Sequence, residues 1–151
     1  MNEIKDQVHD QPPKRPVTKE PLRFGIDIDG TISQAPKHFK RLIDAMLMLG
    51  NEVYIITGRR EYVRPQTEDL LQDFEINYTD LIMRPDAWDR SIAEFKVKAV
   101  DEKEVHMMFD NEEENCWAIQ QQTPALAAHM LPIPEMPEAH EARMKYDHHE
   151  Q

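Results

Sequence analysis

The 151-residue chain contains a single cysteine, Cys116. It can form no internal disulfide and offers no thiolate zinc site, and a small buried side chain is the expected role of a lone thiol. Glycine is scarce too, with four residues, so each one marks a place where the chain turns or something comes close. No apolar run approaches 18 residues, and the polar, proline-containing start MNEIKDQVHDQPPKRPVTKEP has no stretch suited to a signal peptide. A cytoplasmic protein without membrane contact is expected. Basic excess is also missing: 18 Lys and Arg stand against 29 Asp and Glu, a formal charge of −11. That balance counts against a free-standing nucleic-acid-binding module, which normally shows a basic face.

What apolar material there is lies close together. Of the 33 Leu, Ile, Val and Phe residues, 30 fall within residues 22–133. One domain is expected there, preceded by a disordered tail over 1–21 and followed by a polar tail over 134–151, both rich in proline. His148, His149 and Glu150 make a weak metal motif, because a chain terminus supplies nothing to orient the ligands. Within the domain, β-type runs alternate with helical ones: LRFGIDI, a helix over 39–49 capped by Gly50, NEVYIIT, a helix over 63–74, and DLIMR. A segment of undecided type over 88–100 follows, then VHMMFD, EEENCWAIQQ as a helix, and ALAAHML. This alternation predicts an α/β fold, a Rossmann-like parallel sheet of about five strands between two helical layers.

The chemistry gathers at predicted strand ends, where open α/β sheets bind ligands. IDIDGTIS, residues 26–33, places Asp27 and Asp29 two apart, which a regular strand would send to one face. Gly30 permits a sharp turn and Thr31 can help hold it. Two such carboxylates repel each other unless a cation or a shared proton compensates, and Mg²⁺ with oxygen ligands is the economical solution. YIITGRR ends a second strand in Thr57 and Gly58, offering a hydroxyl and backbone N–H groups to an anion. MMFDN ends a third in Asp110. The competing reading, three ordinary turns, requires the same polar design to recur by chance.

DxDGT, a strand ending TGR, a Lys and a strand ending in Asp together resemble the haloacid dehalogenase superfamily of phosphohydrolases, over roughly residues 22–131. The resemblance implies that Asp27 is the nucleophile and Asp29 the general acid and base. It implies that Thr57 binds the phosphoryl oxygens, that Lys96 neutralises them, and that Asp110 completes a Mg²⁺ site with Asp27 and the backbone carbonyl of Asp29. Lys98 competes with Lys96; the pair Phe95-Lys96 favours the latter. Asn111 stands where an Asp is common in the family, and Glu114 could replace the missing charge through a water. The family places cap domains between the motifs, but the gaps here, residues 32–56 and 59–95, hold little beyond crossover elements. A capless, open site is implied, its specificity supplied by loops or an oligomeric neighbour.

A narrower similarity is to the phosphatase domain of phage polynucleotide kinases, carried by TGRREYVRPQTEDLL and LIMRP. It implies a phosphorylated small molecule or nucleic-acid terminus as substrate, with Gly30, Thr31, Gly58, Arg59 and Arg64 binding phosphate and Arg60 and Arg84 available to further phosphates. Trp88 and Trp117 could stack on a base, although packing is the expected role of both. The rival from another class is a non-catalytic module of the same fold that binds a phosphorylated ligand or a protein.

Overall fold

The computed structural model describes residues 11–134. Five strands, β1 (Arg23–Ile26), β2 (Glu52–Arg60), β3 (Asp80–Arg84), β4 (Met107–Asp110) and β5 (Leu126–His129), form one sheet. All of its pairings are parallel, in the order β3-β2-β1-β4-β5. Four helices connect them: α1 (Pro36–Met48), α2 (Arg64–Asp73), α3 (Ile92–Glu102) and α4 (Glu113–Gln122). Ile26, Val53, Ile55 and Leu81 are buried on one face of the sheet with Phe39, Ile43, Leu70 and Leu71. Ile56 and Met108 are buried on the other with Phe95, Ala99, Val100 and Ile119. This is the three-layer α/β arrangement that the alternating pattern predicts.

Helix ends follow local chemistry. Pro residues open α1 and α2, where a missing N–H costs nothing. The undecided segment becomes α3 because Ser91 and Glu94 form a reciprocal capping box. Gly50, with positive φ, closes α1 as expected.

Three local readings differ from the sequence expectation. β1 stops at Ile26, because residues 28–31 turn rather than extend; the rule sending Asp27 and Asp29 to one face therefore does not apply. β2 runs on to Arg60, past a register shift between Thr57 and Arg60. Lys14 and Arg15, expected within a disordered tail, are bonded to the domain, while residues 16–21 are exposed. Lys14 Nζ donates to the carbonyls of Gln120 (2.6 Å), Ala125 (3.0 Å) and Thr123 (3.3 Å), satisfying acceptors exposed at the end of α4. The Arg15 N–H donates to Pro124 O at 2.7 Å. Residues 1–10 and 135–151, including His148, His149 and Glu150, lie outside the described residues. No helix among the described residues is long and apolar enough to cross a membrane.

Candidate active site

β1, β2 and β4 lie side by side at the middle of the sheet, so their carboxyl ends bring Asp27, Thr57 and Asp110 together. Lys96 joins them from α3. Its side chain lies on the buried face of the helix with Phe95, Ala99 and Val100, and is 1% exposed. Nζ donates to Asp27 Oδ1 at 2.7 Å, Asp110 Oδ2 at 2.8 Å and Ile56 O at 3.0 Å. Three acceptors saturate an ammonium, which is what a buried charge requires. Lys98, two residues on, points to the other side of the helix and pairs with Glu102 at 3.0 Å in solvent. The structure thus brings Lys96, not Lys98, into the cluster.

Two carboxylates share that one ammonium. Burial pushes the Asp27 carboxyl up to about 7; Lys96 pulls it down, and Asp110 and Asp29 push it further up. Burial alone would lower Lys96, but Asp27 and Asp110 outweigh it and raise the ammonium's pKa. Asp110 is fully engaged: Oδ1 accepts from the Glu112 N–H at 2.9 Å, Oδ2 from Lys96, and the Asn115 amide reaches both oxygens at 3.4 Å. The other Asp27 oxygen lies 3.4 Å from the Thr31 hydroxyl.

Asp29 faces the pocket on the turn and is gripped by Arg59, with Nε to Oδ2 at 2.8 Å and Nη2 to Oδ1 at 2.7 Å. This bidentate pair fixes the direction of the carboxylate. Gly30, at φ +80°, shapes the turn and admits a neighbour: a Cβ there would collide with the Asn111 side chain. The Asn111 amide group comes within 3.1 Å of Asp27 Oδ2 and 2.9 Å of Asp29 O. With nitrogen in that place the amide donates to both. With oxygen there, its two spacings are close to the roughly 2.9 Å expected between adjacent ligands of Mg²⁺ at 2.0–2.1 Å.

The residues border a pocket of about 240 Å³, lined by Asp27, Asp29, Gly58, Arg59, Arg60, Arg84, Ile92, Lys96, Asn111, Glu112 and Asn115. Several expected site residues fall elsewhere. Thr57 is buried just behind Gly58 and accepts the Arg59 N–H at 3.2 Å. Thr31 and Asp110 lie beneath the pocket floor. Arg64 is not among the lining residues: Glu61 holds it through two bonds of 2.8 Å, and Leu81 O accepts from it at 3.2 Å. Glu114 is exposed, and Glu112 takes the lining position instead.

Cys116 is buried, and burial pushes its thiol up to about 11. Trp88 packs edge-on to Phe95, as expected, but Trp117 is 55% exposed and does not pack as expected. Sequence reasoning missed Asn115 and the Asp29–Arg59 pair. The one hint of Asn115 was an uncharged amide ending an acidic run. Among the described residues, no three His, Cys, Asp or Glu side chains form a metal cluster.

No family model and no curated protein matches the sequence. The fold is similar to that of a chain in the structure of the Pnkp1/Rnl/Hen1 RNA repair complex, with a TM-score of 0.67 and 19% identity, covering 80% of this chain and 46% of that one. A second structure of the Pnkp1/Rnl/Hen1 complex gives a TM-score of 0.66 at 19% identity, with 80% and 50% covered. The chain therefore spans about half the length of the chains it resembles. At this identity the likeness establishes the fold.

Proposed function

We propose that the protein is a phosphomonoester hydrolase of the haloacid dehalogenase type that works through an aspartyl phosphate. The observation that supports this most strongly is the buried Asp27–Lys96–Asp110 cluster, opening onto a pocket that also holds Asp29 and three arginines. Phosphoryl transfer needs positioning and charge neutralisation above all, and the pocket concentrates cations on a chain of charge −11.

A divalent cation fits the residues present. Asp27 Oδ2, Asp29 O and Asn111 Oδ1 would hold it, while Asp110 anchors Lys96, so the ligand first assigned to Asp110 falls to Asn111 in this reading. Bound Mg²⁺ would supply charge neutralisation to the transferring phosphoryl group. The rest belongs to the protein. An Asp27 oxygen attacks phosphorus, the bond to the leaving oxygen breaks, and Asp29 delivers the proton that oxygen needs. Water then attacks the aspartyl phosphate, Asp29 takes its proton, and Asp27 departs as a carboxylate. Arg59 keeps Asp29 aimed at the pocket, and Lys96 neutralises charge on Asp27 and on the phosphoryl oxygens.

The open pocket and its arginines favour a nucleotide or a polynucleotide terminal phosphate as substrate; a role in nucleic-acid end processing accords with the RNA repair complexes that share the fold. The test is phosphate release from 3′- and 5′-phosphorylated oligonucleotides, nucleotides and sugar phosphates, with Mg²⁺ and with EDTA. Metal-dependent release, fastest with the nucleotide substrates, is expected. No release from any monoester would leave the fold as a binding module.

A further inference from the structure

We propose that the ring of Trp88 is a stacking platform for the nucleobase adjoining the bound phosphate, and that the Arg90 guanidinium occupies it when no base is present. The inference rests on reading the pocket as a phosphate site. β3 ends at Arg84, and residues 85–91 lead to α3 without regular structure. This loop is nevertheless tied down. Arg60 Nη1 donates to Asp86 O at 2.7 Å, Trp88 O at 3.2 Å and Pro85 O at 3.3 Å, and the Tyr62 N–H donates to Asp86 Oδ1 at 3.0 Å. Arg60 also lines the pocket, so Trp88 hangs from a residue of the phosphate site.

The indole is fixed at its edges. Its Nε1 donates to Ser91 O at 2.9 Å, and its ring meets Phe95 at 5.9 Å and 75°. One face is covered by Arg90, 4.7 Å from the ring centroid. That cover is weakly held: the Arg90 side chain is 61% exposed, and its acidic neighbour Glu94 lies at 4.0 Å and is itself 55% exposed. Ile92, which follows the Ser91 that the indole bonds, lines the phosphate pocket and sits so closely on the strand end that a Cβ on Gly58 would meet it at 3.0 Å. A rigid ring, an apolar step and a replaceable cation form a base site; a simple anion site would have kept Arg90 turned toward the pocket. A base arriving on Trp88 displaces Arg90 and stacks in its place.

The test uses Trp117→Phe, which leaves Trp88 as the sole tryptophan, combined with Asp27→Asn to stop turnover. Adenosine 3′-monophosphate is expected to quench Trp88 fluorescence saturably, whereas ribose 5-phosphate, which lacks a base, is not. Arg90→Ala should then bind the nucleotide about two- to fivefold more tightly, because the competing cation–π contact is gone. Absence of quenching, or weaker nucleotide binding by Arg90→Ala, overturns the platform. Turnover by the Trp117→Phe protein separates the two readings. Hydrolysis without quenching rejects the platform and keeps the phosphatase; quenching without hydrolysis of any monoester keeps the platform and rejects the phosphatase.

Discussion

On the β1 and β4 side of the pocket the polar groups are buried and bonded to one another: Asp27, Asp110, Lys96 and Asn115 are all under 7% exposed. On the β2 and β3 side Arg60 and Arg84 are partly exposed and donate to backbone carbonyls, Arg84 to Gly58 O at 2.7 Å and Arg60 to the 85–91 loop. The first side holds two carboxylates against one ammonium in a medium that penalises charge, which shifts proton affinities and stores instability. The second keeps its cations near water, where they cost little and can meet a substrate. On the proposed reading, the contrast separates reacting groups from holding groups. Changes on the first side should therefore alter kcat or metal binding, and changes on the second should alter KM.

Among variants that keep the Asp27 nucleophile, the largest effect expected is that of Lys96→Ala, which should lower kcat by about 10²- to 10³-fold by removing a preorganised charge. Lys98→Ala should stay within about twofold, since that side chain is solvated; equal losses would erase the distinction drawn between them. Asn111→Asp adds a second negative charge to a ligand set in which Asp27 Oδ2 is charged and Asp29 O is a neutral backbone carbonyl. It should tighten Mg²⁺ binding about tenfold by calorimetry, roughly 1.4 kcal/mol, and unchanged affinity would remove Asn111 from the ligand set. Arg60→Ala frees the 85–91 loop and should raise KM for nucleotide substrates about five- to tenfold, or about 1 to 1.4 kcal/mol, with kcat little changed. A fall in kcat alone would move Arg60 to the reacting side.

The smallest effect is on stability. Because burial, above all, raises Asp27 to about 7 from its ordinary 3.8, the folded protein holds that proton more tightly than the unfolded chain. This contribution to stability is present at low pH and is lost as pH rises from about 4 to about 7. Asp27→Asn has no such loss. In EDTA its Tm should exceed the parent's by a few degrees at pH 8 and match it near pH 4; a lower Tm at pH 8 would show that the Lys96 pairing outweighs the burial cost.

Much of this was legible in the sequence because it is carried by local pattern. Strand and helix alternation, the Gly50 signal, and the placing of Asp27, Thr57 and Asp110 at or near the carboxyl ends of strands all follow from residues a few positions apart. The choice of Lys96 over Lys98 came from the family's Phe-Lys pair, which Phe95-Lys96 resembles, and it is Lys96 that reaches Asp27 and Asp110. The parts that were not legible depend on distant contacts. Nothing near Lys14 says that its ammonium will cap α4, more than a hundred residues away. Arg59 and Arg64 look alike in sequence; Asp29 draws one into the pocket, while Glu61 and Glu68 keep the other outside it. The turn at residues 28–31 defeated the two-residue strand rule, so it is the backbone carbonyl of Asp29, and not its side chain, that meets Asn111.

The central claim is that Asp27 carries the phosphoryl group. Mixing the protein with a ³²P-labelled 3′-phosphorylated oligonucleotide and Mg²⁺, quenching in acid and separating protein from substrate measures that directly. An aspartyl phosphate survives acid and is released by mild base. The account predicts base-labile label on the parent protein and none on Asp27→Asn; turnover without acid-stable label, or equal label on the variant, would contradict it.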